Sequence, residues 1–294
     1  FAVGEGQVDF KDLSRNVLAD DKVLYHGHAI AAIAAKSEAA AEAALSLIEI
    51  DFDVLMPVLD IAEAMKPDSP LLHDDLFTQG LAEQPEKASN IASRMELKKG
   101  DVDAGFAAAD VVVERDFSTP TVHQGYIEPH ATTVRYDEDG QSMVWCSTQG
   151  HFDVRAIIST LLSMDLSKLK VVASEIGGGF GAKTTVYLEP VALMLSKKSG
   201  RPVKMAMTRD EVFRASGPGS ATRSRVKIGA TKDGTITAMQ AQLNYAAGAF
   251  KGSPMGPGCM TAFTPYDVEN MYVEGYDVVV NKPKAAAYRA PGAP

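Results

Sequence analysis

The amino-acid sequence predicts an α+β protein. Strand-like and helix-like segments follow one another in an irregular order, without the strand–helix alternation that is typical of a parallel doubly wound sheet. Hydrophobic residues make up 46% of the 294 residues and charged residues 23%, which are the proportions of a globular chain and not of a disordered one. At about 100–200 residues per domain, this length predicts two domains.

The first part of the chain, residues 17–58, has the pattern of a β-β-α-β unit. Strands are predicted at Val23–Tyr25, Ala29–Ala34 and Glu49–Leu55. The segment His26–His28 predicts a hairpin turn between the first two strands. Ser37 is a good N-cap for an alanine-rich helix over residues 39–48. Residues 66–100 are rich in proline, glycine and polar residues, which predicts a connecting segment.

From about residue 101 the pattern is richer in strands. Strands are predicted over 111–117, 131–136, 143–148, 169–173, 203–207, 225–230, 235–246 and 273–280. Helices are predicted over 151–164 and 190–198. Turn sequences at 137–140 and 232–234 predict two hairpins, and residues 252–258 predict an irregular loop.

Charge and cysteine content exclude several classes of protein. The net charge of −9 argues against nucleic acid as the partner, and no run of about 18 apolar residues predicts a membrane span. No signal peptide opens the chain, so the sequence predicts a soluble, cytoplasmic protein. Cys146 and Cys259 are too few for a disulfide framework or a four-thiolate metal site. The histidines lack metal-ligand spacing, and His26 and His28 are predicted to be solvated.

The strongest local signal is the glycine-rich segment Gly177–Lys183, which follows a predicted strand. Gly178, Gly179 and Gly181 allow positive φ angles and a close approach of the backbone to a ligand, and their N–H groups suit an anion. The spacing matches neither the phosphate loop GxxxxGK[ST] nor the dinucleotide motif GxGxxG. The alternative is a tight strand-to-helix crossing around a buried Phe180.

Three further segments are candidates. Gln149 and Gly150 end a predicted strand, where the Gln149 amide suits the edge of a heterocycle, although a helix-capping turn is the alternative. Glu128, before a proline, is either a buried carboxylate or a strand entry. Arg289, among small and rigid residues, suits an oxygen-rich cofactor, or it is simply solvent-exposed.

Taken in order, these segments resemble the molybdenum-cofactor-binding large subunit of the xanthine dehydrogenase/aldehyde oxidase family of molybdenum hydroxylases. Residues 1–80 resemble an N-terminally incomplete α/β hammerhead domain. Residues 81–114 would be a connecting segment, and 115–294 a C-terminally incomplete first molybdopterin-binding domain. The ends at Phe1 and Pro294 are likewise expected to be cuts through a longer protein.

The resemblance implies a molybdenum–pterin cofactor, either molybdopterin or its cytosine dinucleotide. It implies that Gln149 hydrogen-bonds an oxygen on the metal, that Phe180 and Gly181 present N–H groups near the metal ligands, and that Arg289 supports the site. No residue of the chain would ligate molybdenum directly, since the cofactor supplies the sulfur ligands. The general base of the family lies beyond residue 294, so none is assigned here, and Glu128 is not it.

The implied reaction is the hydroxylation of an aldehyde or an N-heteroaromatic with oxygen from water. The 2Fe-2S and FAD centres would sit in partner subunits or domains, together with the remaining half of the molybdopterin subunit, in a hetero-oligomer. Purine-oxidising members have Glu where Thr184 stands and Phe where Pro291 stands, which argues against xanthine as the substrate. The alternatives are a non-catalytic assembly module on the same fold and one half of a split catalytic subunit.

Overall fold

The computed structural model describes residues 9–293 of the chain. Its helices are α1 (Phe10–Val17), α2 (Glu38–Leu45), α3 (Ile61–Ala64), α4 (Val102–Ala107), α5 (His151–Leu161), α6 (Glu189–Ser199), α7 (Arg209–Ala215) and α8 (Met255–Thr261). Its strands are β1 (Ile91–Lys99), β2 (Val111–Thr119), β3 (Ala131–Arg135), β4 (Ser142–Cys146), β5 (Leu169–Ala173), β6 (Val203–Ala206), β7 (Thr222–Ala230), β8 (Ile236–Gly248) and β9 (Met271–Val279). The mixed order confirms the predicted α+β class.

The chain divides into two compact units, each built from two separate stretches of sequence. The first unit contains residues 9–57 and Gln124–Gly217, and the second contains Val58–His123 and residues 218–293. These units are defined by the contacts between residues in the folded chain, so their limits do not coincide with single stretches of sequence. The domain limits given above, at residues 80 and 114, therefore stay a prediction.

The first unit is built on a four-stranded sheet with the order β5-β4-β3-β6. β3 pairs antiparallel with β4 and with β6, whereas β4 and β5 run parallel. Helices α5 and α6 pack against this sheet. The buried core includes Val134, Val144, Val154, Ile157 and Leu193. Because β4 and β5 are parallel neighbours, with Cys146 opposite Ala173, their carboxyl ends open at the same edge of the sheet.

Helix α6 begins with a buried carboxyl group, that of Glu189. One of its oxygens accepts the backbone N–H of Tyr187 at 3.0 Å. Burial removes water from the carboxylate and raises the pKa of Glu189 above its ordinary value, although backbone hydrogen bonds at the helix start oppose the rise. The folded protein therefore holds a proton here at pH values where the unfolded chain has lost it.

This carboxyl group predicts a pH dependence of stability. As pH rises from about 4.3 through the raised pKa, the free energy of unfolding falls by up to about 1.4 kcal/mol per pH unit from this group. Glu189→Gln is expected to flatten that slope, whatever it does to the absolute stability. Urea unfolding at pH 4 to 9 measures it, with exposed Glu138→Gln as the control. An unchanged slope in Glu189→Gln would contradict the assignment.

The second unit is built on a five-stranded sheet with the order β1-β9-β8-β7-β2. β8 and β9 are parallel and the other pairs are antiparallel. Helices α4 and α8 pack against β8 and β9. The buried core includes Met239, Ala241, Met255, Cys259 and Val273. Both cysteines of the chain are free and buried, and burial raises the pKa of Cys259 to about 11.

Several elements differ from the prediction. The three strands expected within residues 17–58 are absent, because no neighbouring strand within the described residues satisfies their backbone groups. The alternating side chains of Ile50, Phe52 and Val54 are all exposed, so the pattern there does not mark a buried face. The predicted connection over 66–100 contains β1, which pairs with β9.

Two smaller predictions are also corrected. The loop predicted over 252–258 includes the start of α8, because Met255 packs into the core of the second unit despite the helix-breaking residues around it. His28 is buried and not solvated: its ring accepts the Leu24 N–H at 3.2 Å and donates to the Arg15 carbonyl oxygen at 2.7 Å. Burial lowers the pKa of His28. His26 is exposed, as predicted.

Candidate functional site

The glycine-rich segment Gly177–Lys183 forms a loop that leaves the carboxyl end of β5 and enters a short 3₁₀ turn at Ala182–Thr184. Gly178 and Gly181 have φ angles of +96° and +107°, and Phe180 between them has a φ of +51°. Glycine supplies such angles without steric cost, whereas phenylalanine does not. The Phe180 side chain is 48% exposed, so the loop is not a crossing packed around a buried ring.

The side chain of Gln149, just after the parallel neighbour β4, holds this loop. Its Oε1 accepts the backbone N–H of Gly181 at 2.9 Å and that of Lys183 at 3.2 Å. The backbone N–H of Gln149 in turn donates to the Lys183 carbonyl oxygen at 2.8 Å, which also accepts from Thr148 Oγ1 at 3.1 Å. These contacts fix which end of the Gln149 amide faces the loop.

Because Oε1 of Gln149 accepts two backbone N–H groups, the Nε2 group of this exposed residue is left as a donor for a ligand. The N–H groups of Gly178, Gly179 and Phe180 also have no acceptor within residues 9–293. Consecutive N–H groups in mixed left- and right-handed conformations form an anion-binding concavity. The N–H of Gly181, which the resemblance places near the metal ligands, donates to Gln149 Oε1 in this structure.

A close fit keeps glycine at position 179. A Cβ on Gly179 would lie 2.5 Å from Gln149 Oε1 and 3.1 Å from Lys183 Cβ. Gly150 opens α5, and its N–H donates to Thr148 Oγ1 at 3.1 Å. The capping-turn interpretation thus describes the backbone at this point, while the Gln149 side chain serves the loop.

Glu128, which precedes Pro129 in the first unit, makes contacts that the sequence did not reveal. Glu128 binds the first residue of the loop, since its Oε2 accepts the Gly177 N–H at 2.9 Å, and the same oxygen lies 2.6 Å from Lys183 Nζ. The sequence shows Lys183 at the end of the glycine motif and Glu128 before a proline, but nothing in it pairs two residues so far apart. The strand-entry interpretation of Glu128 misses this role.

Arg289 belongs to the second unit, whereas Gln149, Gly150 and the glycine loop belong to the first. It is exposed and precedes Ala290, whose φ is +56°. The segment after it is anchored within its own unit, because Thr261 Oγ1 donates to the Gly292 carbonyl oxygen at 2.9 Å. The structure therefore brings Gln149, Gly150 and the glycine loop together in the first unit. Arg289 is part of the second unit.

Comparison with protein families identifies the fold. Residues 83–294 match the family model of the molybdopterin cofactor-binding domain. Residues 3–56 match the model of the aldehyde oxidase and xanthine dehydrogenase a/b hammerhead domain. The chain belongs to the molybdenum hydroxylase family. The cofactor of this family is a molybdenum–pterin, which confirms the prediction made from the ordered motifs.

Individual relatives of the chain agree with this family. The chain is 34% identical over 283 residues to the nicotinate dehydrogenase large molybdopterin subunit of Eubacterium barkeri. This match covers 94% of the chain and 63% of the relative. Among solved structures, the aldehyde oxidoreductase from Desulfovibrio gigas matches 94% of the chain with a TM-score of 0.83 and 27% identity. The CO dehydrogenase from Oligotropha carboxidovorans matches 98% of the chain, also with a TM-score of 0.83, at 28% identity.

The chain spans only part of the length of these relatives. It covers 29% of the aldehyde oxidoreductase chain and 38% of the CO dehydrogenase chain. Within residues 9–293, no helix has the length and apolar character needed to cross a membrane. Over the same residues, no group of three or more His, Cys, Asp or Glu side chains is arranged to hold a metal ion.

Proposed function

We propose that this chain forms the molybdenum–pterin side of the active site of a hydroxylase that oxidises an aldehyde or an N-heteroaromatic compound. The observation that carries the proposal is the set of donors at this edge of the sheet, made of Gln149 Nε2 and the N–H groups of Gly178, Gly179 and Phe180, which have no acceptor within residues 9–293. Donors of this kind suit a ligand rich in anionic and oxo oxygens, and they do not compete as metal ligands. The absence of a Cβ at Gly179 leaves Gln149 in place beside the loop.

When bound, a molybdenum–pterin supplies two-electron oxidation of a carbon next to nitrogen or oxygen, with the oxygen derived from water. The contribution of this chain is to bind and orient. Gln149 donates from Nε2 to a ligand oxygen, and Phe180 donates its N–H from the rim of the loop. Arg289 is proposed as a further cofactor-binding residue, from the family resemblance of the Tyr288-Arg289 segment.

The remaining parts of the enzyme lie outside this chain in the proposal. The rest of the molybdopterin subunit would supply the general base, and partner subunits or domains would carry the 2Fe-2S and FAD centres. The relative from Eubacterium barkeri is itself one large subunit, which supports a hetero-oligomeric assembly. The Gln149 amide donates hydrogen bonds from Nε2 and does not take up a proton there, so it stabilises charge and does not act as a base.

Metal and pterin analysis of the intact complex tests the proposal. We expect about one molybdenum and one pterin for each molybdopterin subunit, measured by mass spectrometry of the metal and by fluorescence of the oxidised pterin. Turnover of aldehydes and N-heteroaromatics with an artificial electron acceptor tests the substrate class. An active, full-length preparation that lacks both molybdenum and pterin would overturn the proposal and favour a different chemistry.

A further inference from the structure

One carboxylate oxygen joins the two ends of the glycine loop. Glu128 Oε2 accepts the N–H of Gly177, the first residue of the loop, at 2.9 Å. It also accepts from Nζ of Lys183, the last residue of the loop, at 2.6 Å. Nζ of Lys183 donates in addition to the carbonyl oxygens of Glu128 at 3.1 Å and Pro129 at 3.5 Å.

The Lys183 side chain is deeply buried while its partner reaches water. The exposed fraction of the side chain is 0% for Lys183 and 32% for Glu128. A buried ammonium group needs a compensating charge and several acceptors, and this one has both. The Lys183 ammonium group also lies over the Tyr126 ring, 5.0 Å from its centre, so the aromatic face adds a cation–π contact to the hydrogen bonds.

Tyr126 and Ile127, the residues just before Glu128, are themselves held by hydrogen bonds. The Tyr126 hydroxyl lies 2.7 Å from His130 Nε2 and 2.9 Å from Ser216 Oγ. The guanidinium of Arg209 donates to the carbonyl oxygens of Tyr126, at 3.0 Å, and Ile127. The backbone that presents Glu128 is therefore fixed on both sides of the carboxylate.

We propose that the ion pair between Glu128 and Lys183 is a positioning device that fixes the loop for cofactor binding. It holds residues 177 and 183 to one atom, while Gln149 Oε1 holds the loop from within through the N–H groups of Gly181 and Lys183. With these four donors engaged, the N–H groups of residues 178–180 are left to face a ligand. The inference rests on the proposed function, because the ligand in question is the molybdenum–pterin.

The same contacts tie the Glu128 side chain to the loop. Its Oε2 accepts from both the Lys183 ammonium group and the Gly177 backbone N–H. Such partners orient the groups that contact a cofactor without touching it themselves. Glu128 and Lys183 are therefore positioning residues, acting through the loop.

Three substitutions in the intact complex test this role. Lys183→Met removes the charge from the buried position and leaves Glu128 to be solvated, and we expect about 10- to 100-fold lower molybdenum affinity or turnover. Lys183→Arg retains the charge and is expected to restore part of the cofactor content. Glu128→Gln keeps an acceptor at the Oε2 position but removes the negative charge, and we expect a smaller loss in the same direction. Exposed Lys198→Met on α6 is the matched control.

The readouts distinguish positioning from a purely structural role. Molybdenum and pterin content, the Mo(V) electron paramagnetic resonance line shape and kcat are compared with the thermal unfolding temperature. Reduced cofactor content or an altered line shape in a folded variant supports the proposal. If Lys183→Met does not fold, the cofactor content, the Mo(V) line shape and kcat of Glu128→Gln decide whether the ion pair positions the loop.

A folded variant with full cofactor content, an unchanged Mo(V) line shape and an unchanged kcat would overturn the positioning role. This outcome differs from the failure of the proposed function itself. In that case the wild-type complex would contain neither molybdenum nor pterin. The wild-type measurement therefore separates the two before any variant is made.

Discussion

Replacing Gly179 with alanine is expected to lower the molybdenum and pterin content of the complex by about tenfold or more, since overpacking at a tight position costs about 1–3 kcal/mol. The added Cβ would lie 2.5 Å from Gln149 Oε1 and 3.0 Å from Gln149 Cδ. Gln149 would have to turn away and lose the two loop N–H groups of Gly181 and Lys183 that it accepts. The metal content of the purified complex measures the effect.

Gly256→Ala is the matched control for this substitution. A Cβ at Gly256 would meet only Met95 Sδ, at 3.8 Å, and neither Gly179 nor Gly256 has a positive φ. Alanine should therefore be tolerated at 256, with cofactor content unchanged. Full molybdenum content in Gly179→Ala would show that the loop is not the cofactor site.

Replacing Gln149 with glutamate is expected to reduce kcat by about 100-fold or more, the size of effect seen when one donor to a developing oxyanion is removed. Glutamate keeps an oxygen for the N–H groups of Gly181 and Lys183, so the loop stays in place. The outward Nε2 donor becomes an oxygen that repels the oxygens of a ligand. Activity should fall while the thermal unfolding temperature changes little.

Gln149→Ala provides the contrast, because it removes both the acceptor for the loop and the outward donor. We expect it to lose activity and also to destabilise the first unit. If Gln149→Glu retained wild-type kcat, the outward donor would have no part in catalysis. If Gln149→Glu and Gln149→Ala were equally destabilised, the residue would serve only the turn into α5.

Local sequence signals predict the framework of the first unit well. The antiparallel pair β3 and β4 follows from the turn sequence at 137–140 between two predicted strands, and β5 is observed over the predicted residues. Helix α6 lies close to the predicted residues 190–198, with Pro190 in its first turn and Gly200, whose φ is +65°, directly after its last residue. Each of these signals lies within a few residues of the element that it specifies.

Contacts between distant residues could not be predicted in this way. The pairing of Glu128 with Lys183 joins residues 55 apart, and Gln149 contacts Gly181 across 32 residues. The motifs indicate that these residues are special, but the pairing of distant strands brings them together. The parallel pairing of β4 with β5 places Gln149 beside the loop, and the antiparallel pairing of β3 with β4 places the segment of Glu128 beside both. The prediction of strands within residues 17–58 is wrong for a related reason. An alternation of apolar and charged side chains does not provide the neighbouring strand that a β-strand needs for its backbone hydrogen bonds.

Helix α8 shows tertiary packing overriding local preference. Its sequence, Met255–Thr261, contains two glycines and a proline, and its interior would not be chosen for a helix in isolation. Met255 and Cys259 are buried in the core of the second unit. Space for them exists because residue 275 of β9 is glycine, where a Cβ would collide with Cys259 Sγ.

The long-range hydrogen bonds of the glycine loop also have a consequence for folding order. The Gly177 N–H finds its acceptor 49 residues earlier in the chain, and the Lys183 N–H finds its acceptor 34 residues earlier. Closing such distances costs chain entropy that the loop alone does not recover, so we expect the sheet that carries β4 and β5 to assemble before the loop. A nascent chain therefore gains the ability to capture its cofactor late, after the scaffold has formed. We therefore expect insertion of the cofactor to act on a folded apoprotein.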